Sequence, residues 1–112
     1  MSNTAWLSID DASTTEGLHI CLHGSLDFTT VPNLWSQLRE QMEQDKPIIL
    51  KLHAVTHANS AALALLLEAI AQAAAWALPI TIQAIPSSLL DLARLSNVDK
   101  LLLNPPSTLP LK

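Results

Sequence analysis

The segment 48–67 constrains the fold most, because a strand pattern runs through a short polar stretch directly into a helix pattern. Apolar and polar residues alternate from Ile48 to His53, which is typical of a strand with one buried face. Leucines then recur with helical spacing from Ser60 onward. A hydroxyl at a helix N-terminus lies beside unpaired backbone N–H groups and the positive end of the helix dipole. Ser60 is therefore the first candidate functional residue, because a phosphate or a partner's acceptor groups could be held there.

The rest of the chain repeats this succession of strand and helix patterns. Strands are predicted over residues 5–9, 17–23, 48–52 and 80–84. Helices are predicted over residues 30–45, 60–77 and 86–96, and a turn or hairpin loop over residues 10–17. Three of the strands have one apolar face and one polar or mixed face, which favours helices on one side of the sheet only. The pattern predicts an α/β fold with a mixed sheet and crossover connections.

Length and charge exclude several classes of protein. With 112 residues, the chain is expected to form one domain over residues 1–103, followed by a proline-rich tail over 104–112. The net charge of −4 argues against nucleic acid, which selects a basic face. Cys21 is the single cysteine and cannot form an intrachain disulfide. Because the first residues also lack the pattern of a secretory signal, a cytoplasmic location is expected.

Residues 61–80 are mostly apolar over about the length needed to cross a bilayer. However, Glu68 and Gln72 lie near the middle of this segment, where an acidic side chain costs roughly 2.5–3.5 kcal/mol. No Lys or Arg flanks it, and Pro79 ends it. The segment is therefore predicted to be a buried helix rather than a membrane span.

Catalytic and metal sites are disfavoured by the same sequence. Alanines surround Ser60 where a nucleophile elbow has glycines, and the chain is too short for the hydrolase sheet. His19 and His23 are about 13 Å apart on one strand and cannot share an ion, which leaves only a pairing with His53 across the sheet. With two glycines in the chain, no phosphate-binding loop is present. We therefore expect no catalytic residue, metal or cofactor.

The helix predicted from Ser60 carries two apolar stripes. One stripe is expected to face the core and comprises Leu63, Leu66, Leu67, Ile70 and Ala74. The other is expected to face outward and comprises Ala61, Leu65, Glu68, Gln72 and Trp76. Because a solvent face normally carries more charge, the outward stripe predicts a partner surface. The alternative is that neighbouring elements of the chain cover the helix on both sides.

Two roles are open for Ser60. Serine and asparagine are both preferred N-caps, so either Asn59 or Ser60 could satisfy a backbone donor, an interaction worth about 1 kcal/mol. Alternatively, the Ser60 hydroxyl lies on a partner surface. A phosphate there would add about −1.5 to −2 charge and break or remake contacts.

In their order and spacing, several segments resemble the STAS domain family, named for sulphate transporters and anti-sigma factor antagonists. The segments are Gly-Ser-Leu-Asp at 24–27, the amphipathic helix near Val31, the strand at 48–52, the loop into Asn-Ser-Ala-Ala at 59–62, and the leucine-rich helix. The resemblance covers nearly the whole chain. It implies a STAS-like mixed β-sheet with helices packed mainly on one face.

Within that family, residues 62–67 and 90–95 look most like MlaB-type proteins. This resemblance implies a non-enzymatic, cytoplasmic subunit that binds the ATPase of a phospholipid-transporting ABC complex and reaches the inner membrane through that partner. MlaB has a threonine where Ser60 stands. The partner-binding residues expected from the resemblance and the helix stripes are Ser60, Asn59, Ala61, Ala62, Leu65, His57 and Asp27.

The alternative branch is the anti-sigma factor antagonists. There, the serine equivalent to Ser60 is phosphorylated by an anti-sigma factor kinase, and only the unmodified form binds that kinase. This branch usually has aspartate before the hydroxyl and glycine after it, where this chain has Asn59 and Ala61. The difference favours docking over a phosphorylation switch. Asp27 matches the family's aspartate near the same sheet edge, where it either lines the binding surface or caps the turn into Phe28.

Overall fold

Strands and helices alternate along the chain in the computed structural model, which describes residues 4–10 and 17–106. Within these residues the elements are β1 (Ala5–Ile9), β2 (Leu18–Leu26), α1 (Val31–Met42), β3 (Ile48–Ala58), α2 (Ser60–Ala75), β4 (Ile80–Gln83), α3 (Ser87–Leu95) and α4 (Asp99–Leu103). All the predicted strands and helices are present. The five-residue α4 was not predicted, because a helix that short shows no periodicity. Most of the predicted loop at 10–17, and the tail beyond Pro106, lie outside the described residues.

The four strands form one mixed sheet in the order β1-β2-β3-β4. β1 is antiparallel to β2, whereas β2 and β3, and β3 and β4, pair in parallel. Parallel neighbours need a crossover connection, and α1 and α2 provide these two connections. The predicted mixed sheet is confirmed.

One face of the sheet forms the hydrophobic core with the helices. The strand residues of this core are Leu18, Ile20, Leu22, Leu26, Ile48, Leu50, Leu52, Ile80 and Ile82. Leu34 and Leu38 of α1, Leu66 and Ala69 of α2, and Leu89 of α3 belong to the same core. The intervening strand residues, such as Lys51, His53 and Thr81, are half-buried or exposed, apart from Cys21 and Ser25 of β2. Helix coverage mainly on one face is therefore confirmed.

β3 continues to Ala58, well beyond the predicted end at residue 52. Its pairing with β2 shifts register twice, and each shift places one extra residue in β3. After Leu52, the β3 residues that pack against the core are therefore Val55 and Ala58, three positions apart. Because the two-residue alternation is lost here, the sequence indicates a loop where the structure has a strand.

The outward stripe predicted for α2 is wrong at Ala61 and Leu65, and correct at Glu68. Leu65 and Ala61 are only 1% and 3% exposed, whereas Ala64 and Glu68 are exposed. α2 packs against β3, α1, α3 and α4, so half of its residues are buried. The alternative, in which the chain's own elements cover the helix, is correct for Leu65. Ala74, predicted to lie in the core, is exposed.

No helix within residues 4–10 and 17–106 has both the length and the apolar character needed to cross a bilayer.

α2 ends at a left-handed residue that is not glycine. Ala77 has φ = 56°, a conformation that costs an L-residue roughly 1–2 kcal/mol. The Leu78 N–H donates to the Ala73 carbonyl at 2.8 Å, and the Ala77 N–H donates to the Ala74 carbonyl at 3.2 Å. These two bonds form a Schellman motif, in which glycine is the usual residue at this position.

We expect Ala77→Gly to raise the free energy of unfolding by about 0.5–1 kcal/mol, because relief of the left-handed strain exceeds the added entropy of the unfolded chain. Equilibrium urea unfolding measures the change. The matched control is Ala71→Gly, an exposed position inside α2, which should lower stability by about 1 kcal/mol. If both variants lose stability equally, the strain at Ala77 is absent.

Candidate functional site

The carboxyl ends of β2 and β3 meet at one edge of the sheet, because the two strands are parallel. Leu26 pairs with Ala58 at the last position of the ladder. The Asn59 N–H then donates to the Leu26 carbonyl at 3.3 Å. α1 and α2 both start just beyond this edge, so the loop after β2 and the start of α2 are brought together.

Asn59, not Ser60, caps α2. Its backbone is extended, and its side-chain oxygen accepts from the Ala61 N–H at 2.8 Å. Ser60 is the first helical residue and is exposed. Within residues 4–10 and 17–106, no group hydrogen-bonds to its hydroxyl. The capping role left open between the two residues therefore falls to Asn59, and the Ser60 hydroxyl faces outward from the domain.

Asp27 organises the turn between β2 and α1. Its Oδ1 accepts from the Thr29 N–H at 2.9 Å, the Thr29 hydroxyl at 2.6 Å and the Thr30 N–H at 3.1 Å. The Ser25 hydroxyl donates to Oδ2 at 3.3 Å. With 8% exposure, this carboxylate is engaged by the chain's own donors. The geometry therefore favours the turn-capping interpretation over direct contact with a partner.

Phe28 projects from the turn that Asp27 stabilises and is 69% exposed. Beside it lies a groove of about 140 Å³ between the first turns of α1 and α2, lined by Phe28, Val31, Pro32, Ala61 and Ala64. We call Phe28, Ser60 and this groove the Ser60 surface. Phe28 was not among the predicted site residues, because a single aromatic residue in a polar turn produces no periodic signal. Its position directly after the Gly-Ser-Leu-Asp segment was the available clue.

The structure places only some of the predicted partner-binding residues at the surface. Ser60 and His57 are exposed and Asn59 is half-buried, so these three reach the surface. Ala62 and Leu65 lie in the hydrophobic core, so their expected direct contact with a partner is wrong. Ala61 is buried but lines the groove beside Phe28.

His23 and His53 lie on the face of the sheet that the helices leave uncovered, and each contacts neighbouring side chains. His23 stacks on Trp6 with ring centroids 4.9 Å apart, and its Nε2 lies 2.8 Å from the Ser8 hydroxyl. Cys21 Sγ lies 3.8 Å from His53 Nε2. Burial, and then the charge of Asp10, raise the pKa of the Cys21 thiol, partly offset by Lys51. Among the residues that the structure describes, no three histidine, cysteine or acidic side chains are grouped to hold a metal ion.

The four-stranded mixed sheet, its helical layer and the helix start at Ser60 define a STAS-type α/β domain. The family described as "Mlab, STAS domain" matches residues 9–104, and the chain belongs to this family. Among solved structures, the chain is similar to the anti-sigma factor antagonist SpoIIAA in its unphosphorylated form. The TM-score is 0.68 at 17% sequence identity, over 87% of this chain and 85% of SpoIIAA. No match is found among curated proteins.

We expect Asn59→Ala to lower the free energy of unfolding by about 1 kcal/mol, because one N–H at the start of α2 loses its acceptor. Ser60→Ala should change stability by less than about 0.5 kcal/mol, as is usual for an exposed residue. Equilibrium denaturation of the two variants and the unmodified chain measures both effects. A larger loss for Ser60→Ala than for Asn59→Ala would contradict the assignment of the cap.

Proposed function

We propose that this protein is a non-enzymatic accessory subunit that binds the ATPase of a phospholipid-transporting ABC complex through the Ser60 surface. Its membership of the MlaB-type STAS family supports this class of partner. The corresponding location is the cytoplasm, at the inner membrane through the ATPase. A gene neighbourhood that encodes a permease, an ATPase and a periplasmic lipid-binding subunit would support the proposal independently.

The observation that carries the proposal is the exposed Ser60, which directly precedes Ala61 in an apolar groove that the exposed Phe28 also lines. Exposed apolar patches tend to mark protein–protein contacts. Aromatic residues surrounded by near-neutral contacts often supply most of the binding energy at such contacts. The small side chains of Ser60 and Ala64 would let a partner's backbone approach closely.

The start of α2 also makes Ser60 suitable for a charge test. The first turn of α2 has no acidic residue. A glutamate at Ser60 would interact favourably with the helix dipole, by about 0.3–1 kcal/mol, so it should not impair folding. In a contact from which water is excluded, the same unpaired charge would be strongly unfavourable. The substitution therefore separates an effect on binding from an effect on folding.

Ser60→Glu is expected to weaken binding of the purified ATPase subunit by more than about 2 kcal/mol, or roughly 30-fold in Kd. Ser60→Ala should have a smaller effect. Isothermal titration calorimetry measures both values. The matched control is Ser87→Glu, since Ser87 is also an exposed serine at the first position of a helix, α3. Equal binding by the Ser60→Glu variant and the unmodified chain would remove Ser60 from the interface.

Phe28→Ala should weaken the same complex by about 2 kcal/mol or more, because the exposed ring is the largest apolar group of the Ser60 surface. Leu95→Ala is its control, since Leu95 is 86% exposed on α3, away from the groove. The binding assay is the same. Undiminished ATPase binding by Phe28→Ala would place the contact elsewhere on the chain.

A second candidate function is an anti-sigma factor antagonist regulated by phosphorylation of Ser60. The accessible hydroxyl, which is not needed as a helix cap, favours this alternative. The SpoIIAA structure carries that function in its name. Incubation with an anti-sigma factor kinase and ATP, followed by intact mass measurement, tests it with Ser60→Ala as control. Capture of that kinase and a mass gain dependent on Ser60 would replace the transporter proposal.

A further inference from the structure

A second cavity lies at the opposite ends of α1 and α2 from the Ser60 surface. It has a volume of about 280 Å³ and is lined by Met42, Glu43, Asp45, Trp76 and Leu78. Met42 and Leu78 are buried, Trp76 is half-buried, and both acidic residues are exposed. The cavity therefore combines an apolar interior, an aromatic wall and a carboxylate rim. Its volume is below the roughly 300–1,000 Å³ of pockets for drug-sized ligands, which suits a single long side chain.

The charge around this cavity favours a cation. α1 ends at Met42 and α2 at Ala75, and the C-terminal ends of helices carry partial negative charge. No basic residue is among those that line the cavity. Within the described part of the chain, neither Glu43 nor Asp45 is in an ion pair. A cation that entered would meet two carboxylates without displacing a salt bridge.

Trp76 already has a guanidinium beside its ring. The Cζ of Arg39 lies 5.5 Å from the ring centroid, and its Nε donates to Gln72 Oε1 at 3.3 Å. Arg39 does not line the cavity itself. A guanidinium can stack on an aromatic ring and also donate to carboxylates, whereas a quaternary ammonium has no N–H to donate.

We propose that this cavity binds an arginine side chain of a partner polypeptide. The guanidinium would pair with Glu43 and Asp45, and the aliphatic stem would lie against Met42, Leu78 and the Trp76 ring. Because the cavity and the Ser60 surface are at opposite ends of the same two helices, the two contacts are independent. If a protein other than the ATPase binds the Ser60 surface, the arginine contact at this cavity is unaffected.

A blocked glycine–arginine–glycine peptide tests the proposal by NMR on the full chain. The indole N–H signal of Trp76, assigned with Trp76→Phe, should shift saturably with this peptide and less with its lysine analogue. The citrulline analogue has the same shape without the charge and should cause no saturable shift. The double variant Glu43→Gln, Asp45→Asn should bind the arginine peptide about tenfold more weakly.

Glu40→Gln is the matched control, since Glu40 is an exposed acid on α1 that does not line the cavity. Its affinity for the arginine peptide should be unchanged. Asn accepts the left-handed backbone of Asp45, at φ = 60°, so the double variant should remain folded. Equal shifts with arginine and citrulline, or unchanged affinity of the double variant, would overturn the proposal. Tighter binding of free arginine than of the blocked peptide would instead identify a small-molecule site.

Discussion

The parallel pairing of β2 with β3 is the constraint on which the rest of the structure depends. It requires a helical crossover, supplied by α1, and it brings the ends of both strands to the same edge. The bond from the Asn59 N–H to the Leu26 carbonyl extends this pairing to the first residue beyond β3. An antiparallel arrangement of these strands would place the Phe28 turn and Ser60 at opposite edges. The Ser60 surface is therefore a consequence of strand direction as much as of the residues that form it.

Three polar residues at this edge, Asp27, Asn59 and Ser60, differ in their roles, because the first two stabilise the backbone and Ser60 does not. Asp27 and Asn59 direct their side-chain oxygens to backbone N–H groups of their own chain. Buried polar atoms are normally satisfied in this way, because an unmet donor or acceptor costs about 1–3 kcal/mol. With both helix entries stabilised by these two residues, Ser60 is free of a structural role. A surface position of this kind can change its chemistry with little effect on the fold.

The fold could be predicted from the sequence where local periodicity and tertiary packing agree. The buried positions of β4 and the first half of β3 alternate strictly, and the apolar residues of β2 alternate from Leu18 to Leu22, so these strands and their inner face could be predicted directly. The buried face of α2 was harder to predict. Leucine or alanine occupies most positions around the helix, so the sequence only weakly indicates which side faces the core. Which stripe is covered depends on α1 and α3, whose positions are a property of the whole domain. Leu65 was placed on the wrong side for this reason.

The candidate site was predictable only in part. Ser60 and Asn59 were identified from the local chemistry of a helix start, which a short segment of sequence contains. The exposure of Phe28 depends on the hydrogen bonds of the Asp27 turn, which no periodic pattern reports. The acidic cavity beside Trp76 is formed by two helix ends that are far apart in sequence, so only the packed structure reveals it.

The extra residues in β3 have a consequence for comparing this chain with its relatives. A bulge places two residues opposite one, so a relative without it keeps the same inward and outward faces with a shorter strand. Length differences among homologues should therefore accumulate between Leu52 and Ala58, although residues 48–52 and 61–66 on either side are largely buried. An alignment without gaps between residues 52 and 58 would pair the wrong residues immediately before Ser60.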